Sequence, residues 1–168
     1  MLIRSRKLQE VSFGKLMEVY VEGCLERGQD LFPEETEARQ IAIGEQEFYN
    51  YLNQVFFRTP GSLYAVWEEQ GKYISALRLE PFQDGLLLEA LEPRPDRRQK
   101  GFAKKLITAV MAQANATRIY SHVHKHNVAS LRTHESCGFH VSMDYALCVD
   151  GSVRRDMVTM CFEKGDTP

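Results

Sequence analysis

The stretch GLLLEALEPRPDRRQKGFAKK, which spans residues 85–105, decides the fold. Residues 86–91 form an almost continuous apolar run, which is typical of a strand buried on both faces. A short basic loop containing Gly101 follows, and residues 102–114 then repeat apolar side chains at helical spacing. The first N–H groups of such a helix are unpaired and its dipole is positive there, so the loop is a candidate anion site. A solvated basic loop that only caps the helix is the simpler alternative.

Helical patterns precede this stretch and strand patterns surround it. One helix follows Ser12 and ends at Gly28, and a second begins at Pro33 and is broken at Gly44. Further elements are predicted as strands at 63–67, 73–79, 119–124, 141–149 and 152–162, and as a helix at 128–136. The strand–helix–strand segment implies one parallel pair with a right-handed crossover in an otherwise antiparallel sheet. The sequence therefore predicts one mixed α+β domain over residues 1–168.

The composition is that of an ordinary globular protein, with 43% hydrophobic residues and a net charge of −2. Because no global basic field attracts nucleic acid, no nucleic-acid partner is expected. The four cysteines include no Cys-x-x-Cys pair, which argues against a zinc ribbon. No apolar run is long enough to cross a membrane and no signal peptide is recognisable, so we expect a cytoplasmic protein without a membrane partner.

Two sequence blocks are similar to the motifs of a known family. Neither the dinucleotide fingerprint nor the Walker loop is present. Residues 98–103, RQKGFA, instead resemble the Arg/Gln-x-x-Gly-x-Gly/Ala signature of the GNAT superfamily of acyl-CoA-dependent N-acyltransferases. One strand later, Asn127, Ser130, His134 and Gly138-Phe139 resemble the second motif of that family, Asn-x-x-Ala/Ser-x-x-x-Tyr closed by Gly-Phe. The resemblance covers residues 63–163, and residues 86–139 carry its specificity.

The resemblance implies a splayed, mostly antiparallel sheet with a central parallel strand pair, flanked by helices, and acetyl-CoA as cosubstrate. Pantetheine would lie between the strands at 86–92 and 118–124, which would part at their C-terminal ends. Residues 12–57 would form a helical acceptor-side region, 62–139 the cofactor-binding core and 140–163 a closing hairpin. The implied cofactor-binding residues are Leu91, Pro93, Arg98, Gln99, Lys100, Gly101, Phe102, Ala103, Lys104, Asn127 and Ser130, and no metal is expected.

Two positions depart from the pattern of that family. Pro93 stands where the family usually offers a backbone N–H to pantetheine, and proline has no N–H. His134 stands where the family usually has a tyrosine that protonates the leaving thiolate. His134 is therefore a candidate general acid. The alternative is that it packs on its helix while water protonates the thiolate.

The acceptor amine must be neutral to attack a thioester, although alkyl amines have a pKa of about 10.4. A carboxylate, acting directly or through water, would help to remove the proton. Glu89 and Glu92 on the central strand are the candidate bases, and Glu80 ends the strand before it. Adjacent strand positions alternate faces, so Glu89 and Glu92 should point in opposite directions unless a bulge intervenes.

The sequence favours an enzyme, an N-acetyltransferase that transfers the acetyl group directly to a primary amine in a ternary complex. The acceptor would be a small molecule or a peptide, and a sheet edge after Gly151 could pair two copies into a homodimer. One alternative is a metal-dependent hydrolase, because His122, His124 and His126 alternate along a predicted strand. The other is a CoA-binding module that lacks turnover.

Overall fold

The computed structural model describes residues 1–165. The helices of this part are α1 (Phe13–Leu31), α2 (Glu37–Gln54), α3 (Phe102–Gln113) and α4 (Val128–Glu135). The strands are β1 (Leu2–Ser5), β2 (Leu63–Glu69), β3 (Lys72–Phe82), β4 (Gly85–Pro93), β5 (Arg118–His124), β6 (His140–Met143), β7 (Ala146–Leu147), β8 (Val153–Arg154) and β9 (Met157–Glu163). The sequence analysis does not predict β1, since Arg4 and Arg6 obscure its alternation.

Seven strands form one sheet in the order β1-β2-β3-β4-β5-β9-β6, and β7 and β8 form a separate two-stranded ribbon. β4 and β5 pair in parallel, whereas the other neighbours in the sheet pair antiparallel. α3 connects β4 to β5, so the expected strand–helix–strand unit is present. The predicted α+β fold with one parallel strand pair is confirmed.

Helices cover both faces of the sheet. On one face, Leu16 of α1, Leu52 of α2 and Phe56, which follows α2, are buried against β2 and β3. On the other face, α3 contributes Leu106 and Ile107 to a second core cluster. The central strands are therefore covered on both sides, which explains the almost continuous apolar run in β4.

Two glycines let α1 and α2 approach closely, and neither interrupts its helix. A Cβ atom on Gly28 would lie 2.0 Å from the Gln40 carbonyl oxygen, and one on Gly44 would lie 2.0 Å from the Cys24 carbonyl oxygen. The predicted helix end at Gly28 and break at Gly44 are therefore wrong, because the contact between the helices requires glycine there. α2 begins at Glu37 rather than at Pro33. No helix within residues 1–165 is long and apolar enough to cross a membrane.

Residues 140–163 form four strands, β6 to β9, rather than the single predicted hairpin. The turn at Gly151 joins β7 to β8, which pair only with each other. β9 then enters the main sheet between β5 and β6. The predicted strand 152–162 is therefore divided: β9 has a neighbour on both sides, whereas β8, directly after Gly151, pairs only with β7 and keeps one free edge. The edges of the main sheet are β1 and β6.

Candidate active site

β4 and β5 pair over a short distance and then separate. The paired residues are Leu86 with Ile119, Leu87 with Tyr120 and Leu88 with Ser121. Glu89 and His122 are each the first residue beyond the last of these pairs. Since side chains alternate along a strand, both lie on the sheet face opposite to Leu88 and Ser121. Glu89 and His122 therefore flank the point where the gap between the strands opens.

A β-bulge at Ala90 shapes β4 beside this gap. Arg78 of β3 pairs with Glu89 and Ala76 pairs with Glu92, so β4 has one residue more than β3 over this interval. Ala90 has a φ of +48°, a left-handed conformation that alanine rarely adopts. The extra residue changes the alternation and brings Glu89 and Glu92 to the same face of the sheet. Their expected opposite orientation holds only for a regular strand.

A cleft of about 500 Å³ lies where the gap meets the N-terminus of α3 and the start of α4. All of the predicted cofactor-binding residues except Lys100 line it. They are Leu91, Pro93, Arg98, Gln99, Gly101, Phe102, Ala103, Lys104, Asn127 and Ser130. Lys100 turns away, and its ammonium group donates a hydrogen bond of 3.1 Å to the Asp96 carbonyl oxygen.

The first turn of α3 offers backbone N–H groups to this cleft. Gly101 is the N-cap of α3 with a φ of +79°, and no side chain accepts a hydrogen bond at this helix end. A Cβ atom on Gly101 would meet no other atom within 4 Å, so the space in front of the helix is open. Unpaired N–H groups and the positive end of the helix dipole attract an anion to such a position.

Carboxylates hold the Arg98 side chain away from the helix N-terminus. One guanidinium nitrogen of Arg98 lies 2.5 Å from a carboxylate oxygen of Glu22 on α1 and 3.8 Å from one of Glu92. Burial raises the pKa of Glu92, and the Arg98 charge opposes this shift. The Arg98 side chain therefore connects the loop to α1, and the N–H groups at the start of α3 stay free of side-chain partners.

Asn127 and Ser130 are fixed on the cleft wall by the cap of α4. The Asn127 Oδ1 atom accepts a hydrogen bond of 3.0 Å from the Ser130 backbone N–H. This is a standard N-cap interaction, so the two side chains keep a constant relative position. The amide NH₂ of Asn127 is not used by the cap.

A groove of about 400 Å³ between α1 and α2 approaches the bulge from the other side. It is mainly apolar, and its lining includes Tyr20, Phe48, Tyr51 and Ala90. Leu91, the next residue along β4, lines the cleft. Consecutive residues of β4 therefore line the groove and the cleft, with Ala90 packed on the α1–α2 side of the sheet and Leu91 on the α3 side.

A buried group of charged side chains lies next to the gap. The Arg78 guanidinium is 4.7 Å from the ring centroid of Tyr51 and 3.8 Å from a carboxylate oxygen of Glu89. Glu80 is buried, and its carboxyl group is hydrogen-bonded to Glu89. Burial and the neighbouring Glu89 raise the pKa of Glu80 to about 7, although the Arg78 charge opposes the shift. Near neutral pH the Glu80 carboxyl group is therefore protonated for part of the time.

The acetyltransferase (GNAT) family matches residues 25–139, which include the gap, the cleft and the α3 loop. The chain belongs to the acetyltransferase (GNAT) family. The resemblance inferred from the two sequence blocks is thus confirmed, and the protein is an acetyl-CoA-dependent N-acetyltransferase of this family. No curated protein sequence matches the chain.

Solved structures of N-acetyltransferases share the fold of this GNAT chain. The ribosomal-protein-S18-alanine N-acetyltransferase of Escherichia coli is 16% identical with a TM-score of 0.59, and the match covers 100% of this chain and 99% of that one. The ribosomal-protein-alanine N-acetyltransferase of Brucella melitensis is 15% identical with a TM-score of 0.62, over 98% and 99% of the two chains. The PaiA N-acetyltransferase of Thermoplasma acidophilum, solved with coenzyme A, is 15% identical with a TM-score of 0.60, over 98% and 99%.

His134 of this acetyltransferase occupies a packed position. Its Nδ1 atom lies 2.8 Å from the Ser130 carbonyl oxygen, which places a proton on Nδ1. Its Nε2 atom is buried and has no hydrogen-bond partner within residues 1–165. Burial lowers the pKa of His134, so the ring is neutral near pH 7 and Nε2 carries no proton to donate. The ring also packs edge-to-face on Phe139. These surroundings favour the packing role of His134 over the predicted general acid.

The three histidines of the hydrolase alternative do not come together. His122 is half-buried and faces the Phe82 ring, whereas the Nδ1 atom of the exposed His124 lies 3.4 Å from a carboxylate oxygen of Asp156. His126 lies beyond the end of β5. Across residues 1–165, no group of three or more His, Cys, Asp and Glu side chains could hold a metal ion. The predicted shared face therefore does not produce a three-histidine centre.

Tyr20 and Arg78 are not recognisable as site residues from the sequence. Tyr20 belongs to an apolar helical stripe, so it resembles an ordinary core residue. Arg78 gives a weak signal, because a charged residue between Leu77 and Leu79 in a strand pattern indicates a buried charge with a partner. That partner, Glu89, becomes apparent only from the register of β3 and β4.

Proposed function

We propose that the cleft holds acetyl-CoA and that the acetyl group is transferred directly to a primary amine bound in the groove. The observation that carries this proposal is that consecutive residues of β4, Ala90 and Leu91, line the groove and the cleft beside the gap. A thioester in the gap and an amine in the groove can then be bound together. Holding both reactants in one site converts a bimolecular reaction into an effectively unimolecular one.

Each part of the cleft suits one part of the cosubstrate. The pyrophosphate would accept hydrogen bonds from the N–H groups that follow Gly101 on α3. Pantetheine would extend along the unpaired edge of β4 at Leu91, with Asn127 and Ser130 on the opposite wall. Pro93 cannot donate a hydrogen bond to it, which removes a contribution of about 1 kcal/mol.

Glu89 is better placed than Glu92 to act on the amine. Glu89 flanks the start of the gap, whereas Glu92 lies beyond the bulge and close to Arg98. A carboxylate at the start of the gap stabilises the positive charge that develops on the amine nitrogen as it attacks. The acceptor is a small-molecule or peptide amine in this proposal. Cytoplasmic localisation and homodimerisation stay predictions.

Kinetics with a panel of primary amines test the proposal. Thiol release from acetyl-CoA is measured in the presence of polyamines, amino acids, aminoglycosides, peptides with a free N-terminus and lysine peptides. We expect release with at least one amine, and intersecting double-reciprocal plots because both substrates bind before either product leaves. Acetyl-CoA binding without thiol release on any amine would favour the non-catalytic module. Parallel plots would contradict direct transfer.

A further inference from the structure

His122 flanks the point where the gap between β4 and β5 opens. It is the first residue of β5 beyond the parallel pairing, as Glu89 is on β4. Both side chains lie on the sheet face of Glu80 and Arg78, because Arg78 pairs with Glu89 and Glu80 with Leu87. A thioester held in the gap would therefore have Glu89 on one side and His122 on the other.

The His122 ring has an unused proton acceptor. Its Nε2 atom is buried and has no hydrogen-bond partner within residues 1–165. The ring is half-buried and packs edge-to-face on Phe82, with centroids 5.4 Å apart. The Nε2 atom of His134 is also without a partner, but that ring is fully buried, whereas the His122 ring is partly exposed and is therefore a candidate site residue.

Burial keeps the His122 ring neutral at rest, whereas the Glu89 charge stabilises its protonated form. Burial lowers the pKa of His122, and the Glu89 charge partly opposes this shift. Glu89 itself is in contact with Glu80 and with the Arg78 guanidinium. The residue that pairs with His122 on β9 is the uncharged Thr159. The titratable groups on either side of it on the same face of β5 are Tyr120, whose hydroxyl donates a hydrogen bond to Asp84, and His124, whose Nδ1 atom lies 3.4 Å from an Asp156 carboxylate oxygen. A neutral imidazole can accept a proton near pH 7, and Glu89 then faces the imidazolium.

The two glutamates are less suited to accept the proton themselves. Glu89 is already held by Arg78 and is hydrogen-bonded to Glu80. Glu80 has a suitable pKa of about 7, but its carboxyl group is buried behind Glu89 on β3, away from the gap. Glu92 lies further along β4 with Arg98 beside it.

We propose that His122 accepts the proton of the attacking amine and that Glu89 is a positioning residue that stabilises the resulting imidazolium; this rests on the proposed acetyl transfer in the gap. The amine nitrogen attacks the thioester carbon, and a C–N bond forms. The C–S bond then breaks, and its electron pair leaves on the CoA sulfur. The proton of the nitrogen passes to His122, which returns it to solvent, and the thiolate takes up one proton from solvent. The products are the N-acetylated amine and CoA.

The test uses His122→Gln, Glu89→Gln and, as matched control on the same face of β5, His124→Gln. Each full-length variant is compared with wild type for acetyl-CoA affinity by calorimetry and for kcat against pH with an amine that the wild type acetylates. His122→Gln should lower kcat at least about thirtyfold at unchanged acetyl-CoA affinity and abolish the inflection on the acidic limb, since proton acceptance typically contributes 10² or more. Glu89→Gln should move that inflection to lower pH, because the imidazolium loses its stabilising charge. His124→Gln should behave as wild type.

Wild-type kcat and an unchanged acidic inflection in His122→Gln would overturn the proposal. If that variant fails to fold, NMR titration of the wild-type imidazoles decides. The pKa of His122 should lie below the ordinary value of about 6.5 and should decrease further in Glu89→Gln. A His122 pKa above about 7.5 would overturn the proposal, since the ring would then be protonated at rest. Failure of the proposed function is distinguishable, because the wild type itself would then release no thiol with any amine.

Discussion

The Tyr20 hydroxyl on α1 donates a hydrogen bond of 2.8 Å to the carbonyl oxygen of Ala90, the residue at the centre of the β4 bulge. Tyr20 is buried, and burial raises the pKa of its phenol, so it stays a donor throughout the usable pH range. Ala90 holds a left-handed conformation that the chain alone disfavours. The helical region therefore stabilises the part of β4 that lies between the cleft and the groove.

Tyr20→Phe should impair turnover more than a similar deletion elsewhere. Without this hydrogen bond the bulge at Ala90 loses about 1 kcal/mol of stabilisation. An increase of that size in the activation free energy corresponds to a roughly fivefold decrease in kcat/KM. Tyr73→Phe is the matched control, since the Tyr73 hydroxyl accepts a hydrogen bond of 3.1 Å from the Ser12 N–H, away from the bulge. Both variants should lose similar stability in urea unfolding. Equal kcat/KM values for the two variants would show that the Tyr20 contact is structural only.

Gly101→Val should weaken acetyl-CoA binding more than Lys105→Ala. Gly101 has a φ of +79°, which valine adopts only with strain, and a branched side chain there would occupy the open space in front of α3. The Lys105 ammonium is 4.3 Å from the Trp67 ring centroid and 3.3 Å from a Glu69 carboxylate oxygen, so it is already engaged outside the cleft. Calorimetry should show a Kd increase of about tenfold or more for Gly101→Val and little change for Lys105→Ala. Wild-type affinity in Gly101→Val would exclude this loop as the pyrophosphate site.

These predictions depend on features that differ in how well the sequence reveals them. The strand–loop–helix from residue 85 to 105 is local, so its pattern predicts the fold, the parallel pair and the residues of the cleft. The roles of Gly28 and Gly44 are not local, because another helix decides whether a Cβ atom fits. A low helix propensity is visible in the sequence, but the contact that requires it is not.

The bulge and the charge group beside it depend on long-range register. Ala90 has no local signal of a left-handed conformation, which follows from the pairing of β4 with β3. Glu80, Glu89 and His122 lie on three different strands, and only the sheet order brings them to one place. The sequence therefore supplies the candidate residues, while their partners come from the tertiary structure.

Glu80 should make the stability of the protein depend on pH. Its pKa is raised from 4.5 to about 7 in the folded state, so folding favours the protonated carboxyl group. The contribution is fully present below pH about 4.5 and is lost as the pH rises through about 7. In Glu80→Gln this component of the free energy of unfolding should disappear, whereas the exposed Glu135→Gln should keep the wild-type dependence. Urea unfolding at several pH values between these two limits measures the free energy of unfolding of each variant. If this free energy depended on pH in the same way in wild type and in Glu80→Gln, the raised pKa of Glu80 would be contradicted.

His134→Phe should keep the shape of the wild-type pH–rate profile. Burial lowers the pKa of His134, and its Nδ1 proton is directed at the Ser130 carbonyl, so the ring is a poor acid near pH 7. Phenylalanine can keep the edge-to-face contact with Phe139. The hydrogen bond to Ser130 is lost, at about 1 kcal/mol of unfolding free energy. A lost alkaline limb or a large decrease in kcat at unchanged acetyl-CoA affinity would restore His134 as the general acid.

The most direct test of the account is a crystal structure of the protein with acetyl-CoA bound. The account predicts the pyrophosphate at the N–H groups after Gly101, pantetheine between β4 and β5, and the thioester carbonyl between Glu89 and His122. Pantetheine outside the gap, or a thioester on the α3 face of the sheet, would contradict it.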